Sequence, residues 1–232
     1  MGSGLEITQV ALTDLRIDVL PEETRRALRA SVGLPFLQPE WYLAGGTALA
    51  LQIGHRSSED LDFFTKQRDF DVEVLERELS SLAGDWTTTQ TAKGTLYGIF
   101  YGAKISFIAH PFFEPSAKRL ACGTVHMLVP DDIMAMKVLA ISQRGRKRDF
   151  VDMYWYGAIH RGSLLGAIQR AVVQFPGKQH NIPHLIKSLT YFADAEDDPM
   201  PKLNFDAEWE EIKKYFKREM PKVAEELLGL KP

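Results

Sequence analysis

The chain has 232 residues, 45% of them hydrophobic and 25% charged, and 28 basic against 31 acidic residues give a net charge of −3. This balance excludes a uniformly basic nucleic-acid-binding protein, and no apolar run approaches the roughly 20 residues of a membrane-spanning helix. A cytoplasmic protein with no membrane partner is therefore expected. The single cysteine, Cys122, excludes an internal disulfide framework and is expected to be a small buried side chain.

The first part of the chain alternates between predicted helices and strands. Pro21 opens a helix, because proline fits the first turn and the acids after it stand at the positive end of the helix dipole. Thr47, just after a double glycine, is expected to cap a helix. The other elements predicted here are strands over residues 41–44 and 61–65 and helices over residues 47–53 and 71–83.

More strands and then only helices follow. Segments rich in Thr, Ile, Phe and Tyr predict strands over residues 86–91, 96–101, 104–109 and 125–129. Asp131 or Asp132 is expected to cap the first of several helices, the others starting near Arg148 and spanning residues 164–175, 185–192 and 207–216. The pattern predicts an α+β protein, with a small mixed sheet and flanking helices in residues 1–130 and a helical bundle in residues 131–232.

Two aspartates share one face of the second predicted strand. Since successive side chains of a strand point to opposite faces, Asp60 and Asp62 project together while Leu61 enters the core. Two carboxylates this close repel each other unless a cation lies between them, and Mg²⁺ prefers one or two carboxylates plus the phosphates of a nucleotide. We therefore predict a site for Mg²⁺, or alternatively Mn²⁺, on Asp60 and Asp62. A strand edge with two solvated aspartates is the competing interpretation.

A double glycine precedes these acids, with thirteen residues between Gly46 and Asp60. Gly45 and Gly46 stand where a strand meets a helix N-terminus, and backbone N–H groups at such a turn face an anion. The pattern hydrophobic-Gly-Gly followed by Asp-hydrophobic-Asp-hydrophobic resembles the signature of the nucleotidyltransferase fold, the superfamily of DNA polymerase beta. In that superfamily the glycine turn holds the nucleotide's phosphates and the two carboxylates bind Mg²⁺.

The detailed sequence of residues 45–51 and 55–64 resembles that of the AbiEii/MenT-type nucleotidyltransferases, the toxins of type IV toxin–antitoxin systems. The resemblance extends over about residues 40–217. It implies transfer of a nucleoside monophosphate from an NTP, such as GTP or a pyrimidine NTP, to a tRNA acceptor. It also implies a cognate antitoxin as a partner.

A second block, in residues 131–137 and 144–152, resembles later motifs of the same family. By this resemblance Lys137 and Asp149 match positions associated with activity. The competing interpretation for Lys137 is a solvated side chain with no role in the reaction.

Lys137 and Arg144 lie two helical turns apart, so both are expected to face one cleft, where they neutralise the charge of a triphosphate. The basic run from Arg144 to Arg148 makes an RNA acceptor plausible, because it adds a local patch for phosphate contacts. A solvated connection between helices, with Arg148 and Asp152 in a surface ion pair, is the alternative.

The predicted site consists of catalytic residues and nucleotide-binding residues. Arg56 is expected either to contact the nucleotide or to hold the strand that carries the acids. The predicted catalytic residues are Asp60, Asp62, Lys137 and Asp149, and those predicted to bind the nucleotide are Gly45, Gly46, Thr47, Arg56, Ser57, Arg144 and Arg148.

One position departs from the superfamily pattern. Many nucleotidyltransferases place a third carboxylate on a later strand, where it helps to activate the attacking hydroxyl, and Ser106 stands at the matching position here. A serine is not a base at neutral pH without activation. Either Asp149 or Asp152 serves instead, or the protein binds nucleotide with little turnover. A magnesium-dependent nucleotidyltransferase is thus predicted, with a protein-modifying enzyme and a non-catalytic nucleotide-binding module as alternatives.

Overall fold

The chain divides into two compact units, Met1–Val129 and Pro130–Pro232. The computed structural model describes residues 4–37, 40–81, 85–177 and 180–229. The strands within these residues are β1 (Glu6–Gln9), β2 (Trp41–Ala44), β3 (Leu61–Thr65), β4 (Trp86–Ala92), β5 (Thr95–Phe100), β6 (Ala103–Ala109), β7 (Lys118–Cys122) and β8 (Val125–Leu128). The helices are α1 (Glu22–Ser31), α2 (Gly45–Ile53), α3 (Val72–Ser81), α4 (Pro130–Arg144), α5 (Lys147–Tyr154), α6 (Leu164–Gln174), α7 (Ile182–Ser188) and α8 (Trp209–Leu228).

All of these strands belong to one mixed sheet in the first unit, with the order β1-β7-β8-β2-β3-β6-β5-β4. At its centre β3 pairs antiparallel with β2 and parallel with β6. Each of the four β2 side chains is buried, so both faces of the sheet are covered there. The α+β prediction is confirmed.

Among the described residues of the second unit, every element of regular secondary structure is a helix. Its core includes an aromatic cluster in which the ring of Phe150 lies 5.0 Å from Phe192, 5.8 Å from Trp209 and 5.5 Å from Phe216, measured between centroids. Helix α5 continues into a π-helical turn over Trp155–Ile159. None of the described helices combines the length and the apolar character that a membrane span requires.

Several predicted boundaries are wrong. Helix α2 begins at Gly45, so that Thr47 lies inside its first turn and Ala44 is the cap residue. Helix α4 begins at Pro130, which places Asp131 and Asp132 inside its first turn as well. Helix α7 starts at Ile182, α8 runs on past Pro221 to Leu228, and positions 82 and 83 of the predicted third helix lie outside the described residues.

Two strands have no counterpart in the predicted elements. Strand β1 is exposed at all four positions, and β7 begins with two cations, Lys118 and Arg119. Neither segment shows the strict alternation of apolar and polar residues that marks a half-buried strand. They form because β1 pairs with β7 in parallel and β7 pairs with β8 in antiparallel register.

Candidate active site

The two predicted metal ligands face one cavity of the first unit. Leu61 and Phe63 are buried, whereas Asp60 and Asp62 are half-buried, as the alternation along β3 requires. Both carboxylates line a cavity of about 410 Å³, together with residues of β4, β5 and β6. The apolar side chains of the strand thus pack in the core, and the two carboxylates face the cavity.

The glycine turn lies directly beside Asp62. Ala44, the last residue of β2, pairs with Asp62 across the sheet, and the chain then turns at Gly45 with φ of +70°. This left-handed conformation favours glycine, since a Cβ atom is strained there. A Cβ atom on Gly45 would lie 3.4 Å from Oδ2 of Asp62, so the carboxylate and the turn are in close approach.

Gly46 leaves room for a buried arginine. A Cβ atom on Gly46 would lie 2.2 Å from Nη2 of Arg56, so the guanidinium occupies the space that a side chain at position 46 would need. Arg56 is 3% exposed, and its Nη1 donates a hydrogen bond of 2.9 Å to the carbonyl of Ser57. Arg56 therefore holds the loop before the acids against the glycine turn and brings a positive charge to it.

Thr47 ties helix α2 to the same loop. Its buried hydroxyl lies 2.7 Å from Oγ of Ser58 and also donates to the backbone carbonyl of Asp60. The position of Asp60 is thus fixed from the helix. Ser58 is a site residue that the sequence pattern did not single out, because serines are frequent in any loop and only the contact with Thr47 distinguishes it.

Ser106 hydrogen-bonds to one of the acids. Residues Asp62 and Ser106 are directly paired between β3 and β6, and Oγ of Ser106 donates to Oδ1 of Asp62 at 2.5 Å. Ser106 is 4% exposed, so little water competes for this bond. The serine at the place of a third carboxylate therefore orients Asp62.

The donor set suits a hard divalent cation. In the described part of the chain no group of three or more His, Cys, Asp or Glu side chains could hold a metal ion. Two carboxylates at an open cavity do fit Mg²⁺, which keeps several waters and takes phosphate oxygens in addition to one or two protein carboxylates. A structural zinc site, which needs four protein ligands, does not fit these two side chains.

The predicted catalytic lysine is buried within the second unit. Nζ of Lys137 lies 2.5 Å from Oδ1 of Asp149 and 2.8 Å from Oδ2 of Asp152. The side chains of these three residues are 8%, 9% and 0% exposed. The alternative of a solvated Lys137 is therefore wrong, and Asp152 is not a surface carboxylate. The ammonium group joins helix α4 to helix α5.

The basic run is split by the connection between α4 and α5. Lys147 is buried and its Nζ donates to the carbonyls of Glu196, at 2.9 Å, and Asp198. Arg144, Arg146 and Arg148 are exposed and line a cavity of about 280 Å³. The exposed arginines thus form one cationic patch, while the lysine between them is structural.

The side chains of His180, His184 and Cys122 have structural surroundings. His180 and His184 contact the backbone carbonyls of Phe175 and Ser142, at 2.9 and 3.1 Å. Cys122 is buried as expected, and burial raises the pKa of its thiol, which disfavours the reactive thiolate.

The chain is similar to known proteins over most of its length. A profile of the family described as the nucleotidyl transferase AbiEii toxin of type IV toxin–antitoxin systems matches residues 26–228. An uncharacterised protein of Aquifex aeolicus (strain VF5) is 35% identical over 211 residues, which are 89% of this chain and 98% of that protein.

Solved structures share the fold. A putative nucleotidyltransferase from Helicobacter pylori matches with a TM-score of 0.55 and 18% identity, covering 91% of this chain and 99% of that one. JHP933, also from Helicobacter pylori, matches with a TM-score of 0.51 and 17% identity over the same shares. At these identities the likeness shows a common fold.

Proposed function

Because the chain belongs to the AbiEii family of nucleotidyltransferase toxins of type IV toxin–antitoxin systems, we propose that it transfers a nucleoside monophosphate from an NTP to tRNA in a Mg²⁺-dependent reaction, and that a cognate antitoxin neutralises it. The observation that carries this proposal is the close approach of Asp62 to the Gly45 turn, with Asp60 facing the same cavity. A metal-bridged triphosphate needs carboxylates and phosphate-binding N–H groups side by side.

In this proposal, residues of the first unit bind the triphosphate and the metal ion. The backbone at Gly45 and Gly46 binds the β- and γ-phosphates, and Arg56 adds positive charge there. Asp60 and Asp62 would hold Mg²⁺, which when bound neutralises the charge that develops on the phosphates and aligns the displacement. Ser106 keeps the carboxylate of Asp62 in one orientation through its hydrogen bond.

Residues of the second unit also have roles in the proposed reaction. The exposed guanidinium groups of Arg144 and Arg148 contact backbone phosphates of the RNA acceptor, which arginine can bind in bidentate fashion. Lys137 and Asp149 are required for activity because their ion pair positions helix α5, on which Arg148 lies.

The experiment that tests the proposal offers the protein, with Mg²⁺, each of the four α-labelled NTPs and either total tRNA or total cell protein. We expect the label to appear in tRNA with at least one NTP. Label in protein would assign the chain to the alternative class of protein-modifying enzymes. NTP binding without label in either acceptor would identify a nucleotide-binding module, the alternative that Ser106 raises.

Gly46→Ala should weaken NTP binding by roughly tenfold or more. The added Cβ displaces the Arg56 guanidinium from the glycine turn, and a hydrogen bond to a charged group contributes about 1.5–3 kcal/mol. Titration with a fluorescent NTP analogue and Mg²⁺ measures the effect. Gly33→Ala is the matched control, since no atom lies within 4 Å of the Cβ it would add. Equal affinity of the two variants would contradict the assigned role of Arg56.

Ser106→Ala should lower the rate of transfer by about tenfold and leave NTP binding nearly unchanged. Without its hydrogen bond, the Asp62 carboxylate samples more than one orientation, and a bond to a charged group is worth about 1.5–3 kcal/mol. Single-turnover kinetics measure the rate, and Ser106→Thr, which keeps a hydroxyl, should recover most of it. A wild-type rate for the alanine variant would rule out the positioning role.

A further inference from the structure

The connection between α4 and α5 presents three arginines to one cavity. Arg144 ends α4, Arg146 is the extended cap residue of α5, and Arg148 lies in the first turn of that helix. Gly145 and Lys147, which separate them, are buried, so the three guanidinium groups share the exposed side and line a cavity of about 280 Å³. Three like charges at one cavity repel each other, and an anion among them relieves that repulsion.

A carboxylate in the lining already holds one of these arginines in place. Nη1 of Arg146 donates to Oδ1 of Asp198 at 2.8 Å, and the backbone N–H of Lys147 donates to Oδ2 at 3.0 Å. The side chain of Asp198 is 20% exposed and that of Arg146 50%. A guanidinium group has five N–H donors, so the ion pair orients Arg146 and leaves donors for a second anion.

The charges of the lining favour an anion with two negative charges. Among the described residues, the cavity is lined by three guanidinium groups and one carboxylate, with Pro199 beside them. A terminal phosphate carries about 1.5–2 negative charges at pH 7 and three terminal oxygens, whereas a backbone phosphodiester carries one charge. Arginine binds such oxygens in bidentate fashion. A terminal phosphate therefore matches this lining better than a backbone phosphate does.

The size of the cavity restricts the ligand to a small group. Pockets for drug-sized ligands have volumes of about 300–1,000 Å³, and this cavity has about 280 Å³. Its described lining also includes no aromatic ring on which a base could stack. The cavity thus fits a phosphate with its sugar, and it offers little for the recognition of a base.

We propose that this cavity binds the terminal 5′-phosphate of the RNA acceptor. The inference rests on the proposed function, which assigns Arg144 and Arg148 to RNA phosphates, and it adds Arg146 as a further contact and one terminal phosphate as the target. A tRNA carries a single phosphate of this kind, at its 5′ end. The cavity therefore distinguishes an RNA end from the interior of a strand.

The test uses the full-length protein and two RNA hairpins of one sequence, each with an internal fluorophore and a single-stranded 3′ end. They differ only in having a 5′-phosphate or a 5′-hydroxyl. Without NTP, we expect wild type to bind the 5′-phosphorylated hairpin about tenfold more tightly, because only that hairpin forms the charged hydrogen bonds. In the transfer reaction, the 5′-hydroxyl should raise the KM for RNA and leave kcat unchanged, since the contact is the same before and during transfer.

Arg146→Gln should reduce this preference to about twofold and leave binding of the 5′-hydroxyl hairpin nearly unchanged. Arg146 is exposed, and glutamine can still donate a hydrogen bond to Asp198, so the fold should be retained. Arg218→Gln, at an exposed arginine of α8 outside the cavity lining, is the matched control and should keep the tenfold preference. An equal loss in both variants would show that overall charge selects the RNA, and it would overturn the inference.

Competition identifies the source of the phosphate. Inorganic phosphate and a nucleoside 5′-monophosphate should be at least about a hundredfold weaker competitors than the unlabelled 5′-phosphorylated hairpin. Equal potency would make a free phosphate compound the ligand and overturn the inference. Equal binding of the two hairpins by a wild type that labels tRNA also overturns it, while the proposed function stands. A 5′-phosphate preference without any label in tRNA would instead refute the proposed function and retain the cavity as a site for an RNA end.

Discussion

Replacing Asp62 by asparagine should lower nucleotidyl transfer by about three orders of magnitude, or on the order of 4 kcal/mol in the barrier. The amide removes one of the two negative charges that would hold Mg²⁺, and the remaining carboxylate of Asp60 cannot replace it. Ser106 can still donate its hydrogen bond to the amide oxygen, so the local structure is retained. Initial rates with labelled NTP and the accepted substrate measure the loss.

Stability measurements separate this effect from misfolding. Asp62→Asn removes a carboxylate that faces the same cavity as Asp60, so its thermal stability should equal or exceed that of wild type. Asp85→Asn, at an exposed aspartate of the same unit, is the matched control and should retain full activity. A fully active Asp62→Asn variant would show that Asp62 is not a metal ligand.

Replacing Lys137 by methionine should destabilise the second unit by about 3–5 kcal/mol. The ammonium group lies within hydrogen-bonding distance of both Asp149 and Asp152, and removing it leaves two buried carboxylates without their common cation. Urea unfolding followed by circular dichroism measures the change. Lys187→Met, at an exposed lysine of helix α7, should be close to neutral.

The same variant tests how Lys137 supports activity. If the lysine acts by positioning helix α5, the double variant Lys137→Met with Asp149→Asn should regain part of the stability and part of the activity, because one uncompensated charge is gone. Stability that recovers while activity stays absent would show that Lys137 or Asp149 takes part in the transfer itself. An unfolding curve like that of wild type would contradict the buried ion-pair network.

The sequence predicts the acid strand and the glycine turn well, because both depend on local rules. Alternation along a strand places Asp60 and Asp62 on the face opposite Leu61, and a left-handed turn requires glycine at position 45. Local patterns also predict strands close to the observed β2, β3, β4, β5, β6 and β8, but they do not give the order of the strands in the sheet.

Contacts between distant residues could not be predicted from local patterns. Nothing in the spacing of Arg56 shows that its guanidinium fills the space over Gly46, and nothing near Ser106 identifies Asp62 as its partner. The basic run predicts one exposed patch, but Lys147 is buried and donates to the backbone carbonyls of Glu196 and Asp198, which are distant in the sequence. Strand β1 forms only because β7 offers it an edge.

The most direct test of the central claim is a crystal structure with Mn²⁺ and a non-hydrolysable NTP analogue, with the metal located by its anomalous scattering. We expect a single strong peak, or two adjacent ones, between the carboxylates of Asp60 and Asp62, with the triphosphate against the backbone of Gly45 and Gly46. Metal and triphosphate bound at any other place in the chain would contradict the account.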